Sequence, residues 1–420
     1  MTTKIHLLVM IHGMWGQPSH LAALKKSIET KYPEANQDGE ELDILVAETN
    51  QSGATYDGID WGGERVADEV CTRLKEIEEK DKKVIKFSVT GYSLGGLIAR
   101  YMLGVLHRRG VLKDLELVNF ITICTPHLGL LKYPSIVSSL IALIGPKILS
   151  KTGEQFYCQD SWAKTGRSLI EVMADPDGIF YQTLSQFKHL RVYANAVNDV
   201  TVPYCTSAIE TKDIFAEYVS NGIKVEMHKE YEYVIDTYTI PDAPPPKPAP
   251  LSQEWFDSLR PRPLLPPAAQ FRFPFNIVVY SMLPVLALPV LSYVLYRFSV
   301  DSHASRARIK KYESDESYRE KLVSMFHELE NEIESTAVDV ADSNEGEPYP
   351  IIKAKLHPVV TPVQKKIAKW LNQLPLKKEL AFFPWVRNSH AMIVCRDSHR
   401  FPQHKLGESV VQHWADHFIF

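Results

Sequence analysis

One serine of the sequence stands in a setting that suits nucleophilic chemistry. Ser93 lies in the run Gly-Tyr-Ser-Leu-Gly at 91–95, which matches the G-x-S-x-G turn in which a strained serine projects between two glycines. A strand-like run at 84–89 precedes the turn and a helical pattern at 94–106 follows it, as this motif requires. The pattern predicts a serine that attacks an acyl carbon; the alternative is a serine that only caps the helix after a glycine-rich turn.

A second glycine-containing loop is placed to stabilise a developing oxyanion. His-Gly-Met-Trp-Gly at 12–16 follows the first predicted strand. Hydrolases with this kind of serine turn take one donor from the residue after the serine and another from a loop after an early strand. The N–H groups of Leu94 and Met14 are therefore the predicted oxyanion hole, and an ordinary turn is the alternative.

The serine also needs a histidine to take its proton and a carboxylate to orient that histidine, in the chain order Ser, Asp, His. Asp199 is the predicted acid because it follows a strand-like run at 190–194 and precedes a proline-containing turn. Asp175 and Asp177 are weaker candidates, since no strand leads into their turn.

His390 is the predicted base. It follows Asp199 in the chain and lies in a polar turn before an apolar run at 391–396, which we predict to be the last strand. His127, after the strand that follows the serine turn, is the alternative.

Alternating strand-like and helical patterns predict a mostly parallel central sheet with helices on both faces. Together with the serine turn between a strand and a helix, this predicts an α/β-hydrolase fold, with a large membrane-associating insertion before the last strand. The other predicted strands are 5–11, 42–47, 84–89, 117–124 and 190–194, and the predicted helices are 19–32, 64–79, 94–106 and 363–374.

Composition divides the chain into five regions. Residues 1–235 are the predicted hydrolase core with the serine and the acid, and 236–272 are a proline-rich linker. An apolar, membrane-inserting segment at 273–298 and a charged helical region at 299–350 follow. Residues 351–420 return to the hydrolase core and carry the histidine.

The apolar segment at 273–298 suggests contact with lipid. Its run from 273 to 296 lacks any charge and, as a helix, is long enough for a hydrocarbon core of roughly 30 Å, but Pro284 near its middle kinks it. Basic residues flank both ends, which favours both ends on the cytosolic side. Re-entrant or in-plane insertion is therefore expected, with full spanning or a buried core helix as alternatives. A second apolar stretch at 135–149 is either a lid over the site or a core helix.

Composition excludes several other classes of function. The 420 residues carry a formal net charge of −4, which gives no indication of a nucleic-acid partner. Five scattered cysteines favour a reducing compartment. His413 and His417 lack the glutamate of a zinc-protease motif and are expected to pack rather than bind metal, so we expect neither metal nor cofactor.

Several motifs together resemble the putative serine esterase family of α/β-hydrolase lipases, and most of all its fungal branch, which includes a lipid-droplet phospholipase. The motifs stand at 12–16, 91–96, 119–129, 193–204 and 388–394. The resemblance implies Ser93 as nucleophile, Asp199 as acid and His390 as base. It also implies hydrolysis of glycerophospholipids at the cytosolic face of a membrane, with the lipid-droplet monolayer expected first and the endoplasmic reticulum second.

The sequence also fits other functions. Within the enzyme class, a triacylglycerol or sterol-ester lipase and a protein depalmitoylase are the alternatives. Outside it, the chain would be a membrane-tethered pseudo-hydrolase that acts as a scaffold. The sequence favours the enzyme, because a candidate is present for each member of the triad.

Overall fold

A parallel β-sheet forms the centre of the fold. The computed structural model describes residues 3–243, 245, 249, 251–253, 275–314 and 357–420. Its strands are Thr3–Ile11 (β1), Glu40–Val46 (β2), Lys82–Tyr92 (β3), Glu116–Ile123 (β4), His189–Asn195 (β5), Lys224–Met227 (β6), Ile235–Thr239 (β7) and Leu376–Ala381 (β8). A six-stranded sheet has the order β2-β1-β3-β4-β5-β8, and all its neighbouring pairs are parallel. β6 and β7 form a separate antiparallel pair.

Helices cover both faces of this sheet. The α-helices of the described residues are Ala22–Lys31 (α1), Ile59–Glu78 (α2), Leu94–Arg108 (α3), Ile136–Ile148 (α4), Ser150–Phe156 (α5), Leu169–Ala174 (α6), Ile179–Ser185 (α7), Tyr204–Ser207 (α8), Phe275–Ser314 (α9), Pro362–Leu371 (α10) and Glu408–Asp416 (α11). Leu7 and Val9 of β1 pack with α2 and α3, whereas Leu8 and Met10 pack with α1 and α11 on the opposite face. Because β1 is buried on both faces, its sequence is almost continuously apolar. The predicted α/β-hydrolase fold is confirmed.

The prediction of the last strand was wrong. Residues 391–396 form turns, and the last strand is β8, directly after α10. β8 lies at the edge of the sheet, where charged side chains are tolerated, so its sequence Leu-Lys-Lys-Glu-Leu-Ala lacks an apolar run. The apolar run Met392, Ile393 and Val394 is instead buried in irregular backbone.

The predicted linker begins too early, because its first residues belong to β7, which ends at Thr239. Most of the remaining linker, and residues 315–356, lie outside the described residues. The charged region predicted at 299–350 begins inside α9, so the helix continues across that boundary. The division into five regions otherwise stays a prediction.

α4 and the first half of α9 expose apolar side chains. In α4, Leu140, Ile141 and Leu143 are each more than half exposed, which does not fit a core helix. The lid remains a prediction for this helix. Within the part of the chain that the structure describes, no helix meets the length and apolarity needed to cross a membrane.

Candidate active site

Ser93 lies on a strained turn between β3 and α3. Its backbone has φ 55° and ψ −125°, a conformation that is costly for any residue with a side chain. A Cβ atom added at Gly95 would lie 2.1 Å from the carbonyl oxygen of Ile11, so this position has room only for glycine. The Ser93 side chain makes no capping hydrogen bond to α3, which removes the helix-cap alternative.

The structure brings Ser93, His390 and Asp199 together. The Nε2 atom of His390 lies 3.1 Å from Ser93 Oγ, and its Nδ1 atom lies 2.9 Å from Asp199 Oδ2. With a neutral ring protonated at Nδ1, the imidazole donates to the carboxylate and accepts from the serine hydroxyl. This is the hydrogen-bonded order that a serine hydrolase requires.

Asp199 is held as a carboxylate. Its Oδ1 accepts hydrogen bonds from the amides of Thr201 and Val202 at 3.0 and 2.8 Å, and its Oδ2 accepts one from Asn195 Nδ2 at 2.9 Å. Burial alone raises the pKa of the Asp199 carboxyl, but His390 and these donors outweigh burial, so its pKa lies below the ordinary value. The group therefore stays ionised at neutral pH and can stabilise an imidazolium.

Two further residues, which the sequence did not single out, fix the loop of His390. The hydroxyl of Tyr92 donates to the carbonyl oxygen of His390 at 2.9 Å. Ser389 donates its amide to Asn198 at 2.9 Å and its hydroxyl to Val197 at 3.0 Å, which ties the histidine loop to the acid loop. The position of Tyr92 within the G-x-S-x-G run is the one signal that could have drawn attention to it.

The loop that contains Met14 passes directly against the serine. A Cβ atom added at Gly13 would lie 2.7 Å from the Cβ of Ser93. His12 Nδ1 lies 3.0 Å from the Gly13 carbonyl oxygen, and burial lowers the pKa of His12, so the ring stays neutral and donates there. Among the described residues, no protein acceptor takes the N–H of Met14 or Leu94. Both groups are thus free for a ligand, as the predicted oxyanion hole requires.

The alternative acids and bases are not brought to Ser93. His127 is buried and its Nε2 lies 2.9 Å from Thr122 Oγ1, and burial holds its pKa well below the usual range. Asp175 pairs with Arg167 at 2.6 Å, in the turn between α6 and α7 that also contains Asp177.

Cys124 lies close to both the acid and the base, so the three side chains could be read as a metal site. Cys124, Asp199 and His390 place potential ligand atoms within 4.8 Å of one another. Burial raises the pKa of the Cys124 thiol far above its ordinary value, so the sulfur is a protonated acceptor of the Asn195 amide rather than a thiolate ligand. Both ring nitrogens of His390 already contact Ser93 and Asp199, so the cluster fits hydrolysis better than metal binding.

His413, in the His413–His417 pair, is likewise packed: its Nδ1 lies 2.8 Å from the Tyr193 hydroxyl.

Comparison with known proteins gives a family match over the first half of the chain. The family model described as Putative serine esterase (DUF676) matches residues 1–211. The chain is 28% identical over 214 residues to Putative lipase C4A8.10 of Schizosaccharomyces pombe, covering 50% of this chain and 26% of that protein. It is 26% identical over 257 residues to Putative lipase ROG1 of Saccharomyces cerevisiae, covering 60% of this chain and 34% of that protein.

The chain therefore spans about a quarter to a third of the length of these relatives. Among solved structures, the putative cell surface hydrolase from Lactobacillus plantarum WCFS1 aligns with 48% of this chain and 74% of its own, at 15% identity. The TM-score of 0.28 is too low for this likeness to carry an argument.

Proposed function

The chain belongs to the putative serine esterase family. From that premise we propose that it is a serine hydrolase that cleaves acyl esters of glycerophospholipids at a membrane surface. The single observation that supports the chemistry most strongly is the hydrogen-bonded series from Ser93 through His390 to Asp199.

In the first half of the reaction, Ser93 Oγ attacks the ester carbonyl carbon while its proton passes to Nε2 of His390. Asp199 stabilises the imidazolium that forms. The carbonyl electrons move onto oxygen, and the N–H groups of Met14 and Leu94 donate to this oxyanion. Each such donor contributes on the order of 3 kcal/mol to the transition state.

In the second half, the tetrahedral intermediate collapses and the bond to the glycerol oxygen breaks. His390 gives its proton to that oxygen, and a lysophospholipid leaves. Water then loses a proton to His390 and attacks the acyl-Ser93 ester. Collapse releases the fatty acid and returns the proton to Ser93.

Exposed apolar side chains at the edge of the sheet that carries Ser93 support a lipid substrate. In a parallel sheet, the loops after all strands meet at this edge. Val200 after β5 is 73% exposed and Trp385 after β8 is 92% exposed, while α4 follows β4. Apolar side chains grouped in this way are typical of membrane-contact surfaces.

The first half of α9 supplies the proposed anchor. Its exposed apolar side chains include Phe275, Ile277, Val278, Met282, Val285, Leu288, Val290 and Leu291. We propose that this half inserts in the plane of the membrane or as a re-entrant segment, with Arg297 near the head groups.

All five cysteines are unpaired, which suits a reducing compartment. We therefore propose the cytosolic face of the lipid-droplet monolayer, or of the endoplasmic reticulum, as the location.

Two assays test the chemistry. A fluorophosphonate probe is expected to label the wild-type protein and not Ser93→Ala, and equal labelling of both would reject Ser93 as the nucleophile. On mixed vesicles, the wild-type protein should release fatty acid and lysophospholipid, and Ser93→Ala should release neither. Release from triacylglycerol, sterol ester or palmitoylated peptide alone would point to one of those substrates and reject phospholipid.

The anchor is tested by placing charge on the first half of α9. The double variant Leu288→Glu, Leu291→Glu should lose sedimentation with anionic vesicles and keep activity on a soluble short-chain ester. His303→Glu, which places the same charge at an exposed position in the second half of the same helix, is the control. Unchanged sedimentation of the double variant would rule out this half as the tether.

A further inference from the structure

A cavity of about 390 Å³ opens beside the triad carboxylate. Asp199 forms part of its wall, and so do residues of the segment that follows α8. Asp199 contacts His390, which contacts Ser93, so one imidazole ring separates this wall from the nucleophile. The volume lies within the usual range for small-ligand sites, roughly 300–1,000 Å³.

The cavity is lined by aromatic rings in fixed positions. Tyr133, Tyr204, Phe215 and Tyr218 all contribute to its wall. The rings of Tyr204 and Phe215 meet edge to face with centroids 5.1 Å apart. The hydroxyl of Tyr218 donates to the carbonyl oxygen of Pro384 at 3.2 Å. Aromatic faces carry negative electrostatic potential and attract cations, quaternary ammonium groups above all.

Asp213 adds a carboxylate to the same cavity. One of its oxygens accepts the amide of Phe215 at 3.0 Å. Within the described parts of the chain, no lysine, arginine or histidine forms an ion pair with Asp213. Burial raises its pKa to about 6, against the lowering effects of the Phe215 amide and of His357. At neutral pH the cavity therefore holds a partly buried negative charge that His357 offsets only in part, and a cation bound in the cavity would stabilise it further.

We propose that this cavity binds the ammonium head group of a substrate lipid, choline or ethanolamine, between Asp213 and the four aromatic rings. The inference rests on the proposed function, because it takes the head group from the lipid whose ester lies at Ser93. The glycerophosphate backbone would bridge the two places. The cavity then gives the enzyme a preference for lipids with cationic head groups over lipids with uncharged ones.

The preference is measured on pairs of lipids with identical acyl chains, dispersed in a neutral detergent. Asp213→Asn should lower kcat/KM for phosphatidylcholine and phosphatidylethanolamine by about tenfold. Its kcat/KM for phosphatidylglycerol and for a short soluble ester should stay at the wild-type value. Asp177→Asn removes an exposed carboxylate outside the cavity and should change none of these values. Equal losses on phosphatidylcholine and phosphatidylglycerol would overturn the proposal.

Direct binding separates the cavity from the reaction. Calorimetry with tetramethylammonium on the Ser93→Ala protein should detect binding that Asp213→Asn or Tyr133→Leu weakens. Absence of binding to Ser93→Ala would overturn the head-group site, whatever the hydrolysis assays give. Labelling of Ser93 with no hydrolysis of any glycerophospholipid would instead refute the proposed function, and the calorimetric result would still decide the cavity.

Discussion

Arg308 holds the second half of α9 against the segment that supports the oxyanion loop. Its guanidinium donates to Asp57 Oδ1 at 2.9 Å and to the Gly53 carbonyl oxygen at 2.7 Å. Ten residues earlier on the same helix, Phe298 stacks on Trp15 with centroids 5.7 Å apart and planes 4° from parallel. Trp15 follows Met14 directly, so α9 contacts the loop that carries one predicted oxyanion donor. We expect Arg308→Gln to loosen that loop.

The size of the effect follows from the surroundings of Asp57. Breaking a buried ion pair costs about 3–5 kcal/mol, because an uncompensated charge is left behind. Here the Asp57 side chain is fully buried, but Arg308 is 35% exposed and Arg65 still pairs with Asp57 at 2.9 Å. Because Arg65 still pairs with Asp57 and Arg308 is partly exposed, we expect Arg308→Gln to lower the free energy of unfolding by only about 1–2 kcal/mol. A loop displaced from the serine should then lower kcat by about tenfold.

The assay is turnover of a short soluble ester, which needs no membrane, together with thermal unfolding. Arg308→Gln should lower kcat with little change in KM, and Arg308→Lys should restore part of the loss because the charge remains. Arg306→Gln is the control, since Arg306 is exposed and makes one weak contact, at 3.4 Å, to the Lys147 carbonyl oxygen. A lower melting temperature with unchanged kcat would show that α9 docks on the core without positioning the oxyanion loop.

Three further changes test the surroundings of the site. Tyr92→Phe removes the hydroxyl that donates to His390, which is worth about 1 kcal/mol, so kcat should fall about fivefold while fluorophosphonate labelling persists. Burial raises the pKa of Asp213 from 3.8 to about 6, so its ionisation lowers stability as pH rises through that window. Asp213→Asn should therefore raise the melting temperature at pH 7 and leave it unchanged at pH 3. Among the described residues, the buried guanidinium of Arg100 has no hydrogen-bond partner, so Arg100→Met should stabilise the fold by about 1–4 kcal/mol in urea titration.

The apolar runs in the sequence were sufficient to predict the central strands of the fold. The predicted strands at 5–11, 84–89 and 190–194 lie within β1, β3 and β5, because strands buried on both faces must be apolar along their length. The serine turn could also be predicted from the sequence. The close approach of Gly95 to Ile11 allows only glycine at position 95, and this glycine is part of the G-x-S-x-G pattern. Chain order and the turns around Asp199 and His390 were enough to select the residues that the structure brings together.

Contacts between distant parts of the chain could not be predicted, because no short stretch of sequence indicates them. Arg308 and Asp57 are 251 positions apart, and neither residue has a neighbouring pattern that indicates the other. β8 was missed for a related reason: an edge strand pairs on one side and keeps its charged residues in contact with water or partners. Lys378, for example, pairs with Glu210, so its charge is consistent with a strand only once the partner is known.

The order of the chain separates the triad from the helix that we propose to contact lipid. Asp199 follows β5 and His390 follows β8, and α9 lies between them in sequence. Since β5 and β8 are adjacent and parallel, the acid and base loops emerge side by side. The side-chain and backbone bonds of Ser389 join these loops directly, so the triad is held by the core itself. If α9 contacts lipid as proposed, it can respond to the lipid surface without displacing the triad, and the stacking of Phe298 on Trp15 connects it to the loop beside the serine.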